Sequence, residues 1–261
     1  PDSVKTKYNQ FVWIPVEVTA SDTETSIEAF KRSAWTANAE TGGERTTGLN
    51  TSFTEPNATN DTDDKTGIAK QIAELTKSIY KYGGFYIGRY ELSGTEESGK
   101  QEKGNVIINQ TWYQAYNTCM TFDKENVNSS MIYGSLWDAT MSWLAKSGIQ
   151  VGYTGKVTSD NGNFYPGSIT IKNDRTLINV KNANAYAKLE TGATTYTRTN
   201  NIFDLCGNLY EWTQEATGIG GRVVRGGSYG YTDANVTYAS NRGTNYPTEK
   251  IQNIHQDHAY I

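Results

Sequence analysis

The chain has 261 residues, 12% of them aromatic with Tyr dominating, which is enough to fill one large or two small domains, and one domain with long loops is expected. Its net charge is −4, and Lys and Arg are scattered along the chain, which argues against a nucleic-acid surface held by counterion release. No apolar stretch approaches the roughly 20 residues that span a bilayer, and the opening PDSVKTKYNQ lacks the basic start and apolar run of a signal peptide.

The chain as given is therefore expected to be soluble. It starts at Pro1 and not at Met, so localisation is not read from its beginning. Cys119 and Cys206 are the two cysteines. Alone they cannot build a disulfide framework or a zinc site; two buried free thiols are expected, with a single bridge as the alternative.

In chain order, FVWIPVEV (11–18) is β-rich and apolar and predicts a strand. Residues 36–66 are Thr, Asn, Asp, Glu and Gly with few large apolar side chains, and a long surface excursion is expected there. Ile68, Ile72, Leu75, Ile79 and Tyr82 recur at helical steps up to Gly83-Gly84, predicting an amphipathic helix. A strand follows at 85–92. A second helix is signalled by Asn109 or Thr111 as cap and by Trp112, Ala115, Tyr116, Cys119 and Phe122 on one face. A third spans about 134–145, with Leu136, Trp137, Thr140, Met141 and Leu144 sharing a face. Beyond Lys146 the chain predicts short strands, such as SITI at 168–171, and long loops. The fold class is α+β, with helices segregated early.

The most informative stretch is NIFDLCGNLYEWTQEATGIGGRVVRGGS at 201–228. Gly207-Asn208 reads as a turn, 209–213 and 222–225 as strands, and Gly226-Gly227 as a close approach of backbone to a neighbour. The pattern N-x-F-D-L-x-G-N-x-x-E-W-T followed by R-V-x-R-G-G-S is similar to the signature of formylglycine-generating enzymes and related sulfatase-modifying-factor domains. GGFYIGRYE, INQTWYQAYNTC and SSMIYGSLWDATMSWL resemble the opening strand and two core helices of that family. The resemblance covers 83–261 and implies a C-type-lectin-like fold with two core helices, small antiparallel sheets and long loops. Residues 1–82 are left as an N-terminal extension packing on the same domain.

Oxidase members of that family use two cysteines near the C-terminus to bind copper, as soft thiolates select Cu(I). From Arg225 to Ile261 this chain has none. Iron-dependent relatives use histidines, and here only His255 and His258 are present; two ligands do not make a catalytic metal site. No G-x-S-x-G elbow occurs, and the Glu96-Glu97 pair sits in a polar loop and reads as a solvated face. A non-catalytic protein is expected; the alternative is a formylglycine-generating-type oxidase or iron-dependent relative with altered chemistry, and a third reading is a structural tail or adhesin module.

The segment after Gly227 is rich in Tyr, Asn, Ser, Thr and Gly. That composition is similar to an antibody paratope, where Tyr supplies amphipathic contact area at small entropic cost. R-G-G-S-Y followed by A-S-x-R and P-T resembles the variable region, here about 225–261, of diversity-generating-retroelement proteins. Those are C-type-lectin-fold proteins of phages, bacteria and archaeal viruses. The resemblance implies binding of a protein or cell-surface ligand from a virion or cell surface. Candidate ligand contacts are Tyr229, Tyr231, Asp233, Asn235, Tyr238, Asn241, Asn245 and Tyr246. Arg225, Gly226, Gly227, Ser240 and Arg242 are expected to be scaffold. Adenine mutation of an Asn codon ending in a pyrimidine cannot give Lys, Glu, Gln, Met or Trp, and 223–248 contains none of them, although 191–210 is equally clean.

The family's calcium site, carried over by position, implies Asp204, the carbonyls of Gly207 and Leu209, and Glu211 as ligands of a structural Ca2+. Hard oxygen ligands on one tight turn suit that ion. The alternative has Asp204 capping the turn and Glu211 pairing with Arg222 or Arg225. No cofactor is expected to be required.

Overall fold

The alternation in FVWIP sends Ile14 inward and leaves Trp13 outward, and these residues form β1 (Phe11–Pro15) in a computed structural model. The structure describes residues 8–36, 44–46, 48–55, 68–95, 99–147, 169–173, 176–181, 188–217, 220–229 and 242–248. After β1 come the short strands β2 (Ala34–Thr36), β3 (Glu44–Thr46) and β4 (Phe53–Thr54), then helix α1 (Ile68–Tyr82). Strands β5 (Gly84–Gly88), β6 (Ser93–Gly94) and β7 (Gly99–Lys100) lead to helices α2 (Trp112–Thr121) and α3 (Gly134–Lys146). The rest is strand and loop: β8 (Ile169–Asn173), β9 (Thr176–Lys181), β10 (Arg198–Thr199), β11 (Ile202–Phe203), β12 (Glu211–Thr217), β13 (Arg222–Arg225) and β14 (Gly243–Asn245).

Among the described residues the architecture is mixed α+β, three α-helices with small antiparallel sheets. Its largest sheet has the order β14-β13-β12-β4. β1 pairs antiparallel with β5, Ile14 opposite Phe85 and Trp13 opposite Tyr86, so the first strand shares a ladder with residues beyond position 83. No helix among the described residues is long and apolar enough to cross a membrane.

The polar stretch 36–66 does more than the surface excursion its composition predicts. Residues 44–46 pair with β2, and β4 adds to the edge of β12 with Ala216 opposite Thr54. Backbone pairing needs no apolar side chain, which is why composition does not reveal it. The strand expected at 85–92 ends at Gly88, and the one expected at 209–213 runs over Glu211–Thr217.

α2 begins on a capping box. The Thr111 hydroxyl accepts from the Gln114 amide, and the Gln114 side chain accepts from the Thr111 amide, an arrangement that stabilises a helix start by about 1 kcal/mol. α1 and α3 pack with β1 and β5 around Ile14, Ile79, Ile87, Tyr133, Trp137 and Met141. α2 packs with β12 and β13 around Trp112, Cys119, Phe122, Met131, Trp212 and Val224. Neither cysteine is in a disulfide; Cys119 is buried as expected, whereas Cys206 is partly exposed.

Candidate ligand-binding face and its buried base

α3 is buried along its first two turns, and in the middle of that apolar surface stands Asp138, fully buried. An isolated carboxylate there would cost several kcal/mol, so it must be paired. Arg225, at the end of β13, donates to Asp138 Oδ1 at 2.7 Å, and Arg242, just before β14, donates to Asp138 Oδ2. The Ser33 amide donates to Asp138 Oδ2 at 2.8 Å and the Trp35 indole to Oδ1 at 3.0 Å.

Glu215 on β12 is the second anion of this base. Arg242 Nε lies 2.9 Å from Glu215 Oε1, Arg225 Nη1 lies 3.5 Å from Oε2, and Arg32 Nη1 donates at 3.0 Å. Burial by itself would raise the Asp138 carboxyl, but the Arg225 and Arg242 guanidiniums hold it below its usual range. The same pairing raises Arg242 despite its burial, while burial and the neighbouring Arg242 lower Arg225.

Glu55 extends the network. It accepts from the Ser135 amide at the start of α3 (3.1 Å) and faces Arg32 at 3.7 Å. Burial and the nearby Glu215 push its carboxyl up to about 7 against the pull of Arg32.

The turn expected at Gly207-Asn208 is present, with positive φ at both residues, 77° and 59°. It is locked to the glycine pair: the Gly207 amide donates to the Gly226 carbonyl at 2.8 Å, and the Tyr229 amide to the Asn208 carbonyl at 2.9 Å. The Asn208 side chain donates to Glu91 at 2.6 Å and accepts from the Leu189 amide. Burial and the nearby Asp204 hold Glu91 well above the usual carboxylate range. Gly226 sits at φ 86°, and a Cβ there would lie 2.0 Å from Glu211 Oε2. Glu211 is thus the neighbour whose close approach the glycine pair permits.

No protein-family model matches the chain, and no curated protein matches it significantly.

The positions implied as calcium ligands divide between two environments. Asp204 is buried at φ 58°, and its Oδ2 accepts from the Thr191 hydroxyl at 2.9 Å and the Gly192 amide at 3.0 Å. These two bonds tie Asp204 to the 191–192 segment. Glu211 is buried against Gly226. The arginines considered as its partners are engaged elsewhere, Arg222 stacked over the Trp112 ring at 4.1 Å and Arg225 on Asp138 and Glu215. Among the described residues no group of three His, Cys, Asp or Glu is placed to hold a metal ion.

Of the candidate contacts, Tyr229 is half-buried, its hydroxyl pushed up by burial. Asn245 lies on the edge strand β14 with its backbone opposite Arg222, and Tyr246 is exposed. Tyr231, Asp233, Asn235, Tyr238 and Asn241 lie outside the described residues, as do Ser240, His255, His258 and the Glu96-Glu97 pair. Of the positions expected to be scaffold, Arg225 and Arg242 sit in the buried ion network, and Gly226 and Gly227 have positive φ, 86° and 81°. Sequence reasoning missed Arg32, Glu55, Asp138 and Glu215. The one available signal was a charged residue inside the otherwise apolar LWDATMSWL.

Proposed function

We propose that this chain is a non-catalytic ligand-binding protein of the receptor-binding or display type, acting at a virion or cell surface on a protein or cell-surface ligand. It has a C-type-lectin-like fold of the formylglycine-generating-enzyme type over residues 83–261, with 1–82 as an extension. Its Tyr- and Asn-rich C-terminal face is diversified by a retroelement. Binding rests on aromatic anchors in a polar surround and requires no cofactor.

The observation that carries this reading is the shared grip of Arg225 and Arg242 on Asp138 and Glu215. A surface whose side chains change from copy to copy needs ends whose position does not depend on what lies between them. Here residues 226–241 leave from one buried arginine and return at another, and both are held by buried partners on α3 and β12. Past the second arginine, β14 pairs with β13 and the Pro247 carbonyl accepts from the Trp112 amide at 3.1 Å, which braces the returning chain independently.

The test is simultaneous randomisation of Tyr231, Asp233, Asn235, Tyr238 and Asn241. Most variants are expected to keep the parent's thermal midpoint within a few degrees, since substitutions outside a packed core are typically worth ~0.5 kcal/mol or less. General loss of folding would show that the segment is core and would overturn the reading. In the source DNA the same reading expects a near-identical template repeat differing only at adenines, beside a reverse transcriptase; copies varying evenly along the chain would count against diversification.

A further inference from the structure

The β1–β5 ladder has a second face. Val12, Ile14, Phe85 and Ile87 belong to or pack on the core, while Trp13 and its cross-strand partner Tyr86 project the other way, 37% and 57% exposed. Together with Tyr82 at the end of α1, 63% exposed, they border a cleft of about 710 Å³. That volume lies within the roughly 300–1,000 Å³ of small-molecule sites. Isolated exposed aromatics are ordinary on a protein surface, but three around one concavity are a patch.

Two features make this cleft a prepared site. The first is that Trp13 is pinned. Its ring lies over Gly84, where an added Cβ would come within 2.5 Å of the indole, and it meets Tyr86 edge-to-face at 5.0 Å. Only glycine leaves room for that ring, so part of the indole is held against backbone while part stays open to solvent. The second is the lining. Phe11, Leu75 and Val127 give it apolar walls, Ser78, Asn128 and Ser130 supply hydroxyl and amide groups, and no described lining residue is charged.

We infer that this cleft binds an uncharged sugar ring, stacked through its C–H face on Trp13 and hydrogen-bonded at its edge. An ionic ligand would enter with no countercharge among these residues. A wholly apolar one would leave the serine and asparagine groups facing hydrocarbon, whereas a neutral saccharide has both an apolar face and a polar rim. None of the described lining residues belongs to the C-terminal segment, and the inference stands whether or not that segment is diversified.

The full chain is titrated calorimetrically with a panel of neutral tetrasaccharides built from glucose, mannose, galactose or N-acetylglucosamine, and with sialylated and uronic-acid counterparts. At least one neutral member is expected to bind. Trp13→Ala should weaken it about tenfold or more, the loss of one aromatic anchor, while Tyr113→Ala, at an exposed tyrosine away from the cleft, leaves it unchanged. Should Trp13→Ala fail to fold, Tyr82→Ala and Tyr86→Ala, at exposed positions, carry the same expectation. The inference is overturned if no neutral member binds at ~10 mM, if binding survives the aromatic substitutions unchanged, or if an acidic counterpart binds more tightly than the neutral one.

Discussion

Arg225 and Arg242 hold the same two carboxylates, Asp138 and Glu215, from either end of the segment that separates them in sequence. Asp138 is the hub, because it also receives the Ser33 amide and the Trp35 indole and so ties the N-terminal segment to the sheet. Asp138→Ala would leave two arginines, one fully buried, without their shorter anion contact. Removing one partner of such a buried pair costs about 3–5 kcal/mol, and urea denaturation is expected to show a loss of that size. A loss under ~1 kcal/mol, the value of an exposed ion pair, would show that the network is not the brace described.

Gly226 and Glu211 make a second testable contact. Gly226→Ala puts a methyl where Glu211 Oε2 now sits and strains a backbone at φ 86°, so it is expected to destabilise by roughly 2–4 kcal/mol. Adding Glu211→Ala removes the clash but not the strain. Gly226→Ala should therefore cost less in the Glu211→Ala background than in the parent, a coupling read from a double-mutant cycle. Strict additivity would mean that the two groups do not meet.

Much of this fold is legible because it is local. The 3.6-residue recurrence from Ile72 to Ile79, the Thr111 cap and the Gly207-Asn208 turn are written within single elements, and the structure has each of them. What the sequence hides is pairing over long separations. β4 docks on β12 through backbone groups that composition does not describe, and Glu55, Asp138 and Glu215 become one network only when four elements converge. The scaffold arginines were readable from the motif; their anions were not, since Asp and Glu look alike whether solvated or buried.

Calcium distinguishes the two readings of Asp204. With the Thr191 hydroxyl and the Gly192 amide already on its Oδ2, millimolar calcium is expected to shift the thermal midpoint by less than ~2 °C, equivalent to about 1 kcal/mol or less. Asp204→Asn keeps an acceptor and should fold in calcium or chelator alike. A rise of several degrees with calcium, lost in Asp204→Asn, would instead establish the ion site implied by Asp204, Gly207, Leu209 and Glu211.

Glu55 gives the protein a pH dependence with a definite sign. Its carboxyl titrates at about 7 in the folded chain against an ordinary 4.5, raised by burial and by Glu215. Between those values the folded state keeps a proton that the unfolded state has lost, so Glu55's contribution is fully favourable below pH 4.5 and disappears as pH rises through 7. The difference corresponds to about 3 kcal/mol at most. Glu55→Gln keeps an oxygen for the Ser135 amide and removes the titration. The variant is expected to match the parent near pH 4 and to exceed it in stability at pH 8, and the gap between the two urea-denaturation curves isolates Glu55 from other buried acids such as Glu91. A gap that stays constant from pH 4 to 8 would show that Glu55 does not change charge in that window.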